Sequence, residues 1–224
     1  VVVMKVKTGE ILACASYPTY NPITYNEDYE EILKMDFDPL FNRAFHATYA
    51  PGSSFKMVTL YAAMELGGGQ EGRLFEYGET INAQGKYRAY EDQGFAPACL
   101  LWNSYGRMHG VIDAAKALEV SCNYFFYVLG DKMDINYIDN VAKSLGLGVK
   151  TGMELAEKTG IRANPENKLA LHNGNTDLGR WYAADQVMAG IGQSFHRYSP
   201  MQLASYAMGL GNQGVRYKAT FLDR

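Results

Sequence analysis

The stretch from Ser53 to Gly69, "SSFKMVTLYAAMELGGG", limits what this chain can fold into more than any other. It follows Pro51-Gly52, opens on serine, contains no Gly or Pro until its end, and stops at three glycines, which predicts a helix over 53–66. Phe55, Met57, Val58, Leu60, Tyr61, Ala62, Ala63, Met64 and Leu66 leave it almost no polar face. A helix apolar on all sides belongs in the core of a domain. Ser53 and Lys56 are then polar groups at the mouth of a buried rod, and that placement needs a reason.

A catalytic pair is one reason. At positions i and i+3 the two side chains share a helix face, one turn apart. A serine hydroxyl becomes a useful nucleophile when a base takes its proton, and a lysine serves as that base if burial lowers its pKa. The free N–H groups at the helix start suit a developing oxyanion. The plain alternative is that Ser53 is only an N-cap, and the Ser-x-x-Lys spacing by itself arises readily by chance. A second polar cluster lies in "VSCNYFF", where one apolar helix stops and another starts. Ser121 could relay a proton and Asn123 could orient Lys56 and a substrate carbonyl, although both residue types also cap helices.

Elsewhere the pattern alternates short strands and helices. "VVVMKV" and "ILACAS" around the turn "KTGE" predict a β-hairpin over 1–16. Frequent Pro, Asn and Asp from Ser16 to Gly52 predict an irregular surface connection. "VIDAAKALEV" reads as an amphipathic helix with Val111, Ile112, Ala115 and Leu118 on one side. Helices also fit "YFFYVLGDKM", "INYIDNVAKSLGLG" and "SPMQLASYAMGLGNQG", making 111–212 a helical lobe with a return helix. "VRYKATFLDR", 215–224, reads as the start of a returning strand.

Several function classes are excluded. The net charge is −3 with Lys and Arg scattered, so nothing suggests a nucleic-acid surface. No apolar run approaches the roughly 18 residues a membrane span needs. The start lacks an initiator Met and a signal sequence, and reads as the middle of a longer protein. Cys14, Cys99 and Cys122 show no C-x-x-C spacing, and His46, His109, His172 and His196 stand apart from them. The expectation is free thiols, no metal and no cofactor.

Taken in order, "VKTGEILACASYPTYNP", "PLFNRAFHATYAPGSSFKMVTLYAAME", "HGVIDAAKALEVSCNYFFY", "LGLGVKTGMEL" and "IGQSFHRYSPMQLASYAMGLGNQG" resemble the transpeptidase domain of penicillin-binding proteins, nearly end to end. The "LFNRA…YAPGSSFK" form resembles the class B type. The resemblance implies an α/β, β-lactamase/transpeptidase-like (penicillin-recognising) fold, an antiparallel sheet with a helical lobe and the active site between them. It implies Ser53 as the acylated nucleophile that also holds substrate, Lys56 as proton acceptor, and Ser121 and Asn123 as the second motif, with Asn123 on the substrate. It implies peptidoglycan stem peptides as substrate, β-lactam antibiotics as acylating ligands, cell-wall synthesis proteins as partners, and a place on the extracytoplasmic side of the bacterial membrane. A membrane anchor is expected elsewhere in the full-length protein.

The family's third motif reads Lys-Thr-Gly followed by Thr or Ser on an edge strand after the second motif. This chain has Lys-Thr-Gly at Lys7, Lys150 and Lys158, followed by Glu10, Met153 and Ile161. All three are expected to be decoys. By resemblance the chain is the front two-thirds of the domain, stopping before the third motif, and inactive or nearly so alone. A serine β-lactamase or β-lactam sensor shares the first two motifs; Glu154 and Glu157 stand as its candidate deacylation bases. A non-catalytic scaffold of the cell-wall machinery is the other alternative.

Overall fold

The computed structural model describes residues 1–65 and 73–222; Leu66 and the glycines at 67–69, expected to end the first helix, and 223–224 of the expected strand lie outside the described residues. The chain divides into two units: Val1–Tyr49, Leu145–Gly160 and Arg197–Arg224 form the first, and Ala50–Ser144 with Ile161–His196 the second. Residues 111–212, read as one helical region, are thus divided between both.

In the first unit, β1 (Val2–Met4) and β2 (Ile11–Cys14) pair antiparallel with a bulge between Val3 and Met4. The intervening Lys7-Thr8-Gly9 is their turn, and the Gly9 N–H donates to Lys5 O at 2.9 Å. The segment expected to be wholly irregular carries a helix, α1 (Tyr25–Ile32), with Glu27 and Asp28 in its first turn, where a helix dipole favours acids. Dense Pro and Asn upstream of Tyr25 hid it. Residues 215–222 make one parallel bridge, Thr220 to Glu10, in place of the expected strand.

The second unit begins with a 3₁₀ turn, Gly52–Phe55, that runs into α2 (Lys56–Glu65). A two-stranded antiparallel sheet follows, β3 (Thr80–Ala83) with β4 (Gly110–Asp113), and α3 (Leu100–Tyr105) lies between them in sequence. Then come α4 (Ala114–Glu119), α5 (Asn123–Lys132), α6 (Ile135–Ser144), α7 (Pro165–Leu171) and α8 (Ala183–Ala189). The last helix, α9 (Pro200–Gly211), returns to the first unit, capped by Ser199 and Gln202 in a reciprocal box. Two expectations change here. Val111 and Ile112 lie in β4 rather than a helix, and Ala114 and Ala117 are buried while Val111 and Ala115 are exposed. The β-branched pair joins β3, and Asp113 caps α4 by accepting from Lys116 N.

α2 packs against α5 and α6, burying Phe55, Val58, Ala62 and Ala63 completely. Met57 and Tyr61 are 40% and 47% exposed, so the helix is apolar all round but buried on one side. No described helix is long and apolar enough to cross a membrane.

The three Lys-Thr-Gly copies share one geometry. Gly9, Gly152 and Gly160 have φ of +77°, +85° and +69°, the left-handed conformation that a turn glycine supplies and an extended edge strand does not use. Glu157 accepts from Thr151 Oγ1 and Gly152 N, and Glu154 accepts from Thr220 Oγ1 and Phe221 N. Both carboxylates are engaged in tying loops of the first unit.

Candidate active site

Ser53 sits in the 3₁₀ turn, exposed, while Lys56 three residues on is 1% exposed. The turn is held from behind. Gly52 N donates to Gly192 O at 3.0 Å, and Thr59 Oγ1 donates to Gly190 O at 2.8 Å. Gly192 has φ +74°, and a Cβ there would lie 2.3 Å from Gly52 O. Phe55 is buried against the His196 ring, centroids 4.1 Å apart, while His196 Nδ1 accepts from Ala163 N.

Ser121 reaches the same place from α4. Its N–H donates to Leu118 O and that of Cys122 to Ala117 O, the paired bonds of a Schellman turn. The residue at the centre of such a turn is usually glycine; here Ser121 takes φ +50° itself. A serine held in the left-handed region costs backbone strain, which persists where the surroundings impose it. The reversal points Ser121 and Asn123 back at Lys56. Lys56 Nζ donates to Ser121 O at 2.8 Å, Ser121 Oγ at 3.0 Å and Asn123 Oδ1 at 2.6 Å. Ser121 Oγ in turn donates to Ser53 Oγ at 3.0 Å.

The structure thus brings all four sequence-derived residues together. Lys56 was read as the acceptor of the Ser53 proton, with Ser121 able to relay it and Asn123 to orient Lys56; the Lys56 hydrogen bonds go to Ser121 and Asn123, and Ser121 bridges to Ser53. Burial lowers the Lys56 pKa from 10.5 to about 8, since an ammonium loses hydration there. The amine is therefore near neutrality at a pH where an exposed lysine is wholly charged.

A groove of about 440 Å³ opens over Ser53, Ser121 and Asn123, and residues of the second unit alone line it. Its far wall comes from Cys99, Leu100, Leu101, Tyr105 and His109. Cys99 and His109 had been read as isolated residues, and Leu100, Leu101 and Tyr105 did not stand out in the sequence; their only signal was an apolar run, Leu100 to Trp102, between Pro97 and Gly106.

The expectation of scattered cysteines and histidines is corrected here. The donor atoms of Cys99, His109 and Cys122 lie within 4.8 Å of one another, the one such group among the described residues with a composition able to surround a metal ion. Residues 10 and 23 apart in sequence meet there: Cys99 at the start of α3, His109 just before β4, and Cys122 in the turn between α4 and α5. The Cys99 thiol is pulled well below its usual range, first by a hydrogen bond from the Cys122 thiol and further by the backbone N–H groups of Leu101, Asn123 and Tyr124. The Cys122 thiol is pushed up by the same contact and by burial.

A family model described as the penicillin binding protein transpeptidase domain matches residues 1–224. Peptidoglycan D,D-transpeptidase MrdA of Acinetobacter baumannii is 30% identical over 220 residues, covering 96% of this chain and 30% of that protein. The protein of the same name from Escherichia coli K12 is 30% identical over 222 residues, covering 96% of this chain and 32% of that protein. The chain therefore spans about a third of the length of the curated relatives it matches. Among solved structures, Helicobacter pylori PBP2 in complex with MreC superposes with a TM-score of 0.82 at 24% identity, covering 98% of this chain and 39% of that one. Pseudomonas aeruginosa PBP2 in complex with WCK 5153 does so with 0.80 at 25% identity, covering 96% of this chain and 47% of that one.

Proposed function

The chain belongs to the penicillin-binding protein transpeptidase family, and from that premise we propose that it supplies the nucleophile half of a serine acyl-transfer site that cross-links peptidoglycan stem peptides. The observation that carries the reading is the continuous line Lys56 Nζ, Ser121 Oγ, Ser53 Oγ, each step 3.0 Å, opening into a groove.

Neutral Lys56 takes the Ser121 proton as Ser121 Oγ takes that of Ser53, and Ser53 Oγ attacks the carbonyl carbon of the D-Ala-D-Ala bond. The proton returns along the same line to the departing D-Ala amine. An amine from a neighbouring stem then attacks the ester, giving a cross-link and restoring Ser53. A β-lactam ring opens on the same oxygen. Asn123 keeps Lys56 and the incoming carbonyl in register, and exposed Leu100 and Tyr105 offer an apolar rim for alanine methyl groups. The site works on the extracytoplasmic side of the cell membrane, beside cell-wall partner proteins such as the MreC that accompanies H. pylori PBP2.

The test is covalent labelling of the full-length gene product by a fluorescent penicillin, with the labelled peptide mapped. The label is expected on Ser53 and lost in Ser53→Ala. A label that survives Ser53→Ala, or maps elsewhere, removes Ser53 from this role.

A further inference from the structure

α3 forms one wall of the groove through Leu100, Leu101, Ser104 and Tyr105, yet none of its residues is buried. Among the described residues, no other helix or strand packs extensively against it. So short a helix, without such packing, does not hold its place by itself. The chain that carries it does so, and that chain is the loop from Gly85 to Cys99. Cys99 N donates to Gly85 O at 2.7 Å and Tyr87 N to Pro97 O at 2.8 Å, which ties the two limbs of the loop together at the foot of α3. Trp102 of α3 lies directly on Gly85, where a Cβ would come within 2.5 Å of the indole Cε3.

The loop is tied in turn to α5. Tyr87 Oη donates to Asp131 Oδ2 at 2.6 Å and Tyr90 Oη to Asp131 Oδ1 at 2.8 Å, one phenol on each carboxylate oxygen. Hydrogen bonds to an ionised acceptor are roughly twice as strong as neutral ones. The Tyr87 ring also meets that of Tyr124 edge-on, centroids 5.7 Å apart. Both phenols are held above their usual pKa, Tyr87 by burial and then by Asp131, Tyr90 first by Asp131, so each keeps the proton it donates. Asp131 itself stands near the far end of α5 from Asn123, roughly 12 Å along the axis, and does not line the groove.

We propose that Asp131 is a positioning residue for ligand selection: by holding Tyr87 and Tyr90 it fixes the loop that carries α3, and so the wall that tells one acyl donor from another. The proposal rests on the serine acyl-transfer reading. With a carbonyl seated at Ser53, the wall meets the parts of the ligand away from the reacting bond. Leu100, Leu101 and Tyr105 make that wall apolar, so it favours donors that carry an apolar or aromatic group there. Releasing Asp131 blurs this choice and leaves the line from Lys56 through Ser121 to Ser53 intact.

The test uses the full-length protein and two ligands with the same reacting ring: benzylpenicillin, which carries an aromatic acyl side chain, and the bare penicillin nucleus, which has a free amine in its place. Acylation rates are read by competition with a fluorescent penicillin. Hydrogen exchange at the Tyr87 and Cys99 amides reports the loop without any catalysis. In Asp131→Ala, and in the double variant Tyr87→Phe with Tyr90→Phe, the preference for benzylpenicillin is expected to fall about tenfold while the rate for the bare nucleus stays within about twofold. Asp131→Asn keeps one acceptor oxygen and is expected to lose less. The two amides are expected to exchange about fivefold faster, while the Gly52 amide, bonded to Gly192 O, does not change. The double tyrosine variant keeps both rings and decides the matter if Asp131→Ala does not fold. Rates that fall alike for both ligands overturn the proposal, because a general loss of fold does the same. Faster exchange with an unchanged preference overturns the link to selection, and unchanged exchange overturns the hold on α3. A wild-type protein that neither ligand acylates overturns selection together with the serine reading, while exchange still decides whether Asp131 holds the loop.

Discussion

Ser121 Oγ lies 3.0 Å from Ser53 Oγ and donates to it, while accepting from Lys56 Nζ. The lysine thus reaches the nucleophile through a second hydroxyl, and the order of hydrogen bonds seen here is that of the charged amine. A neutral amine reverses both, drawing the proton away from Ser53.

Removing that hydroxyl breaks the line while leaving the backbone turn in place. Ser121→Ala is expected to slow acylation of Ser53 about 10²–10⁴-fold, the usual range for a positioned proton-transfer group. Stopped-flow penicillin labelling measures it. A loss below threefold would mean that Lys56 moves to contact Ser53 directly.

The lowered lysine pKa sets a pH dependence. About one Lys56 in ten is neutral at pH 7 for a pKa of about 8. The acylation rate is therefore expected to climb with pH and level off above about 8. The folded pKa lies below the unfolded 10.5, so between these values the unfolded chain binds more protons and stability rises with pH. A rate profile from pH 6 to 10 checks the first point, and urea titrations across the same range check the second.

Gly192 is a support for the nucleophile turn. Gly192→Ala must place a Cβ against Gly52 O from a left-handed backbone, and is expected to cost about 2–4 kcal/mol. Gly174 also has positive φ, +79°, but with open space around it, so Gly174→Ala is expected to cost only about 1 kcal/mol. Denaturant unfolding of the two variants separates steric support from backbone preference.

Lys168 is buried, bonded to Asp185 Oδ2 and Arg180 O at 2.7 Å each, and flanked by the rings of Tyr182 and Phe195 at 5.0 Å. Lys168→Met leaves the largely shielded Asp185 carboxylate without its cation and is expected to cost about 2–4 kcal/mol. Adding Asp185→Asn removes the stranded charge while keeping an acceptor for the Tyr182 N–H, and is expected to recover most of that loss. A double-mutant cycle by chemical denaturation reads the coupling.

Much of this was legible locally. Ser199, Pro200 and Gln202 announce the start of α9 by their side-chain chemistry. The spacing of Ser53 and Lys56 placed both on one turn, and the Ser-Cys-Asn break marked a reversal between two helices. The ordered set of motifs was enough to identify the family. Misreadings came where local signals conflicted: Val111 and Ile112 fit a helical period, but their β-branched side chains pair with β3. The three Lys-Thr-Gly copies were set apart from the strand motif by the residues that follow them, and the positive φ of Gly9, Gly152 and Gly160 fits turns.

The sequence by itself determined the elements and the residue types of the site, because capping, periodicity and turn chemistry act over a few positions. Tertiary structure alone decided that Lys56 meets Ser53 through Ser121, that one side of α2 is left open, and that Cys99, His109 and Cys122 come together. Those outcomes depend on packing between segments tens of residues apart. Distances of that kind are set by how whole surfaces fit together, and no local period in the chain encodes them.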